Sequence, residues 1–211
     1  TQQQITGMLH LRVYAASAIM PRLIYNFHQD YPGVQISMNQ YMSEDDFDLC
    51  ITTGEFGSLP SGAKKLYEEE IMLAVPANHP KFQSLSAISL LEIADENFIM
   101  TRSGSSLRIL ANRIFRQASI EPHILFEGDN PSVVRELITM GLGIAFFPRI
   151  SWQNIIDESI HLVHLMPPPG SRSLFIYSPA NRVVTSTIHT FMNYATNYFN
   201  TIQSQTLSHD K

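Results

Sequence analysis

The chain has 211 residues, a formal charge of −5, 44% hydrophobic and 16% charged residues, and one cysteine. That is enough chain for one large or two small domains with a buried core, and too apolar for a disordered segment. The charge excludes a strong nucleic-acid grip by this stretch, the lone cysteine excludes an internal disulfide and fits a reducing cytoplasm, and no apolar run is long enough to span a bilayer.

The start, TQQQITG, lacks a basic-then-apolar signal pattern and reads as a linker end. Leu9 to Ala15 reads as a strand, with Leu9, Leu11 and Val13 alternating against His10 and Arg12. A helix follows and ends at Tyr31-Pro32-Gly33; Leu23, Ile24 and Phe27 serve its own core, leaving Met20 and Tyr25 for association. Val34 to Met38 alternates as an edge or near-edge strand. The next strand, Phe47 to Thr52, holds Cys50 between Leu49 and Ile51, which makes an inert core thiol. Leu66 to Val75 is extended, Ile88 to Ile93 is a short helix or turn, and Asn97 to Thr101 is a strand. After Arg102-Ser103-Gly104-Ser105-Ser106 comes an amphipathic helix, with Leu107, Leu110, Ala111, Ile114, Phe115 and Ala118 inside and Arg108, Asn112 and Arg116 outside.

Ile124-Leu125-Phe126 is a strand leading to the most informative stretch, FEGDNPSVVRELITMGLGIAFFPR, residues 126–149. Asp129 or Asn130 caps a helix, Pro131 takes its first position, and Gly141 stops it in a left-handed conformation. Ile144 to Phe147 then suits a strand buried on both faces. Ile160 to Leu165 is a strand, Pro167-Pro168-Pro169-Gly170 a rigid turn, and Leu174 to Tyr177 another strand. The last helix, about Val183 to Phe199, carries a stripe of Ile188, Phe191, Met192, Ala195 and Phe199.

Two loops can hold a small anion. Arg102, Ser103 and Ser105 gather hydroxyls, a cation and free N–H groups ahead of one helix, and Gly128, Asp129 and Asn130 precede another. His161 and His164 suggest a metal, but residues three apart on a strand face opposite sides and cannot share one ion. Glu68-Glu69-Glu70 and Glu44-Asp45-Asp46 read as solvated charge runs. GxSxG, HExxH, CxxC and P-loop patterns are absent, so no cofactor and no catalysis are expected.

The order and spacing of these pieces, above all the acidic residue and short loop before VVRELITMGLGIAFFP, resemble the effector-binding domain of LysR-type transcriptional regulators. The resemblance runs from GMLHLRV at Gly7 to near Phe199 and includes Asp48-Leu49-Cys50-Ile51. It implies an α/β fold of the type 2 periplasmic-binding-protein-like kind: two Rossmann-like lobes joined by two crossover strands, with ligand bound between the lobes. The first lobe would be residues 1–74 plus 179–211, and the second 75–178. It also implies that Ala16, Ser17, Ala18 and Thr101 join the two loops above in binding a small effector. The partners implied are a homodimer or homotetramer, DNA through an N-terminal domain outside this chain, and no membrane. Two joins are short for the family, near residues 14–21 and 39–47. A solute-binding protein of a transporter shares the fold and is the rival reading; an enzyme is the third.

Overall fold

The computed structural model describes residues 5–40, 46–54 and 57–208, with side chains through 205. The chain divides into two units, Thr1–Glu69 with Arg172–Lys211, and Glu70–Ser171.

In the first unit, β1 (Gly7–Val13) pairs in parallel with β2 (Val34–Asn39) on one side and β3 (Leu49–Thr53) on the other. β10 (Ser171–Tyr177) runs antiparallel along β3, and β4 (Lys64–Pro76) follows it in the sheet. β2 has one described neighbour and is an edge. Leu9, Leu11 and Val13 are fully buried. The expected alternation fails at Arg12, which is also buried, with its guanidinium over the rings of Tyr14 and Phe47 at 4.8 and 5.0 Å from their centroids. A cation lying on aromatic faces can hide its long stem in this way. Cys50 is buried in β3, and burial pushes its thiol up to about 11, which keeps it protonated and inert at neutral pH.

α1 (Met20–Asp30) has Pro21 in its first turn, where the missing N–H is harmless, and buries Met20, Leu23 and Phe27. Met20 therefore belongs to the core and not to an association surface, while Tyr25 is 64% exposed. α4 (Ser186–Ser208) starts later and runs further than its pattern suggested. The stripe itself is buried as expected: Ile188, Phe191, Met192, Ala195 and Phe199. The Phe191 ring meets Phe27 edge-on at 4.9 Å, and Phe199 lies 4.9 Å from Tyr67.

The second unit is held by β4, which pairs antiparallel with both β8 (Ala145–Pro148) and β9 (Ile160–Met166). β5 (Ala87–Ser89) runs parallel to β9 and leads into a 3-10 turn, Leu90–Ile93. All four residues of β8 are buried. Separately, β6 (Asn97–Met100) pairs in parallel with β7 (His123–Glu127). α2 (Ser106–Gln117) packs Phe115 against Phe98 at 4.9 Å and Phe146 at 5.2 Å. α3 (Pro131–Thr139) buries Val134 and Ile138, and Gly141 follows at φ +80° as a left-handed stop. Gly143 is required by close approach: a Cβ there would lie 2.4 Å from the Asn97 carbonyl oxygen. That contact lets Ile144 exchange backbone hydrogen bonds of 2.9 Å with Asn97 and Ile99.

The glutamate run is not the solvated face expected of it. Glu69 is buried and accepts from Arg172 Nε at 2.6 Å, and Glu70 meets His164 Nδ1 at 2.7 Å. Consecutive residues of a strand face opposite ways, so a charged run on β4 divides between environments. Of the other acidic run, Glu44 and Asp45 fall outside the described residues, as does most of the short join after β2.

Asp48 ties three segments of the first unit together. Its carboxylate accepts from His10 N at 2.8 Å and from Arg182 Nε at 2.8 Å. Burial pushes its pKa up, but the His10 N–H and Arg182 pull harder, so it lies below the usual 3.8. A folded-state pKa below the unfolded value means that the stabilisation is present above 3.8 and lost as pH falls through the folded pKa. Asp48→Asn is expected to cost about 1–3 kcal/mol at pH 7. In denaturant titrations repeated down the pH scale, the gap between variant and wild type should begin to narrow below pH 3.8 and close as pH falls through the folded-state pKa.

Candidate functional site

Parallel pairing of β6 with β7 makes both strands end at one edge of the second unit, so the segments after them emerge side by side. Gly128 N donates to Met100 O at 3.0 Å and fastens the second segment to the end of the first. Thr101, Arg102, Ser103 and Ser105 occupy the loop after β6, with Gly104 at φ +86° making its turn. Ser105 caps α2: its Oγ accepts from Arg108 N at 3.2 Å and donates to Thr101 Oγ1 at 2.8 Å. Asn130, and not Asp129, caps α3 by accepting from Ser132 N at 2.9 Å. Asp129 turns instead to Arg102, taking its backbone N–H at 3.4 Å and its Nε at 2.5 Å.

Two further residues, Arg108 and Glu127, complete this cluster. Arg108 reads as an outer residue of α2, yet its side chain is only 12% exposed. Its Nη1 donates to Thr101 O at 3.0 Å and to the Glu127 carboxylate, and its Nε donates to Asn112 Oδ1 at 3.0 Å. Glu127, the last residue of β7, also accepts from Ser103 N at 3.2 Å. Arg108 holds the Glu127 carboxyl below the usual carboxylate range, with help from the Ser103 N–H. One signal for Arg108 was available in the sequence. A cation in a helix's first turn sits where the macrodipole disfavours it, and so calls for an anionic partner.

Beneath the first loop lies a cavity of about 10 Å³, lined by Met100, Thr101, Leu107, Val134, Phe146 and Trp152 among others. That is room for about one water molecule. In all, four cationic or N–H groups (the Arg102 and Ser103 amides, and two guanidiniums) face two carboxylates across two adjoining loops. The set suits recognition of a small charged molecule and offers no nucleophile paired with a base.

Ala16, Ser17 and Ala18 follow β1 in the first unit. Ala16 is buried at φ +68°, a left-handed conformation that costs a non-glycine residue about 1–3 kcal/mol. Its carbonyl accepts from Ile19 N at 3.1 Å, which turns the chain into α1. His161 and His164 do face different partners, Leu85 O at 2.7 Å and Glu70. Among the described residues no group of three His, Cys, Asp or Glu side chains is placed to hold a metal ion.

The sequence profile of the LysR substrate binding domain matches residues 2–200. The chain belongs to the LysR substrate binding domain family. In sequence it is similar to the uncharacterized HTH-type transcriptional regulator YybE of Bacillus subtilis (strain 168), at 29% identity over 92% of this chain and 67% of that protein. It is also similar to the transcriptional dual regulator GltC of the same organism, at 23% identity over 89% of this chain and 65% of that one. The chain thus spans about two thirds of the length of these relatives. Among solved structures, the Synechocystis PCC6803 CcmR regulatory domain in complex with 2-PG superposes with a TM-score of 0.79 at 20% identity, over 92% of this chain and 98% of that one. The effector binding domain of QuiR in complex with shikimate gives 0.73 at 22%, over 93% and 99%. The α/β fold of this LysR-family chain is accordingly the type 2 periplasmic-binding-protein-like fold.

In this LysR-family chain, the Asn130 cap sets where α3 begins and so where the second loop ends. Asn130→Ala should cost about 1 kcal/mol, read as a lower denaturation midpoint at unchanged slope.

Proposed function

We propose that this chain is the effector-sensing and oligomerising domain of a LysR-type transcriptional regulator, and that its effector is a small anion. The observation that carries the reading is the gathering of the Arg102 and Ser103 N–H groups and the Arg102 and Arg108 guanidiniums on the loop after β6 and the first turn of α2, where each of them holds a carboxylate. Converging N–H donors and guanidiniums recognise carboxylates and phosphates. Thr101, Arg102, Ser103, Ser105, Gly128, Asp129 and Asn130 form the effector-binding surface of the second unit, and Ala16, Ser17 and Ala18 that of the first. The similar domains solved with shikimate and with benzoate bind carboxylates, which fits an anionic effector. DNA is contacted by a domain outside this chain, whose own charge is −5. The protein works in the cytoplasm, without catalysis; among the described residues no helix is long and apolar enough to cross a membrane. An effector acts by binding one conformation better than another, since equal affinity shifts no equilibrium.

The reading is tested by thermal-shift screening of small carboxylic and phosphorylated acids. A bound acid stabilises by about 2.7 kcal/mol at a hundredfold excess over Kd. The Thr101→Ala/Ser103→Ala double variant should stay folded and lose most of that shift. An undiminished shift would sink the assignment.

Oligomerisation is assigned to the first unit, as a homodimer or a homotetramer built from dimers. Edge strand β2 leaves Met38 41% exposed, and α1 leaves Tyr25 exposed. An edge strand and an exposed aromatic make a self-complementary patch for a two-fold partner. Tyr25→Glu should shift the light-scattering mass from two chains or more toward one, with little loss of monomer stability. A wild-type mass of one chain at micromolar concentration would refute it.

A further inference from the structure

The second unit's donor set is already occupied, and by the chain itself. Ser103 N–H and Arg108 Nη1 converge on one carboxylate, that of Glu127. The three partners differ in freedom. Arg108 is anchored on two further sides, by Thr101 O and Asn112 Oδ1, and is 12% exposed. Ser103 N is backbone, in a loop pinned by the Ser105 cap. The backbone of Glu127 is fixed by its register with Met100, but its side chain is 41% exposed. The movable member is therefore the carboxylate, which can swing into solvent while both donors stay in place. Charge gives the same result: Arg102 and Arg108 are balanced by Glu127 and Asp129, so the cluster as it stands has no net attraction for an anion.

We propose that Glu127 is an internal competitor for the effector's acid group: an autoinhibitory side chain that holds Ser103 N–H and Arg108 until an anion displaces it. This rests on reading the two loops as the anion-binding surface. An anion then binds only to the fraction of molecules whose Glu127 has swung out, and its apparent Kd is raised by the inverse of that fraction. That penalty is the same factor for every anion that takes these two donors, so the contact sets a concentration threshold without ranking one acid above another. Neutralising Glu127 should remove the threshold. A glutamine at this position still accepts a hydrogen bond from Ser103 N–H and fills the same volume, so the fold is kept, but its neutral amide holds a guanidinium far more weakly than a carboxylate does.

The experiment titrates inorganic phosphate into wild type and Glu127→Gln at constant ionic strength, following the amide resonances of Ser103 and Arg102 by NMR, with thermal melts confirming the fold of each. The expected result is binding at these amides in both proteins, at least tenfold tighter in Glu127→Gln. Repeating the titration with benzoate, a monoanion, should show the same fold-gain in the variant, because the fraction of molecules with free donors belongs to the protein and not to the ligand. Equal phosphate affinity in the two proteins, with the shifts still at Ser103, would overturn the competition and leave the anion-binding surface standing. Shifts absent from Ser103 and Arg102 in both folded proteins would overturn the proposal together with the surface it rests on.

Discussion

Two strands that pair in parallel must end at the same edge, and in the second unit everything of functional interest depends on that constraint. β6 and β7 run side by side, and each hands its chain to a loop and then to a capped helix. Antiparallel pairing would have sent the two loops to opposite ends. The single hydrogen bond from Gly128 N to Met100 O then fixes how far the second loop advances past the first. Sequence positions 101–105 and 127–130 become neighbours for this reason alone.

The charges exploit the same arrangement. A strand's last residue and the first residues of the facing loop lie within side-chain reach, so Glu127 reaches Ser103 and Arg108, and Asp129 reaches Arg102. On β4 the same two-residue period separates the environments of adjacent glutamates: Glu69 is buried with Arg172, and Glu70 lies beside His164 and Arg149. Exposed ion pairs contribute little to stability, about 0–1 kcal/mol each, so the loop pairs serve to organise charge. The buried Glu69–Arg172 pair differs, because removing one partner would strand a charge out of water.

Local rules were legible in the sequence wherever the cause was local. The stop at Gly141, Pro131 in the first turn of α3, the apolar face of α2 and the stripe of α4 follow from dihedral preference and helical period, and the structure has them. The residues of the two second-unit loops were picked out by their donors and caps; their side-by-side placement needs strand pairing that no short window reveals. Arg108 and Glu69 were misread for one shared reason. Periodicity gives the face of a helix or strand, but the partner across that face comes from a distant part of the chain. Arg108 finds Glu127, and Glu69 finds Arg172, over separations that a pattern of neighbours cannot encode.

The chain's only tryptophan and only cysteine fall in different units. Trp152 is 6% exposed, edge-on to Phe147 at 5.4 Å, in the second unit; Cys50 is fully buried in the first. Each unit thus contains its own spectroscopic or chemical reporter with no engineering. Indole emission follows the melting of the second, and the rate at which a thiol reagent reaches Cys50 follows the opening of the first. If the units unfold as separate cooperative bodies, the two signals will part along a denaturant axis, and one midpoint will not describe the chain.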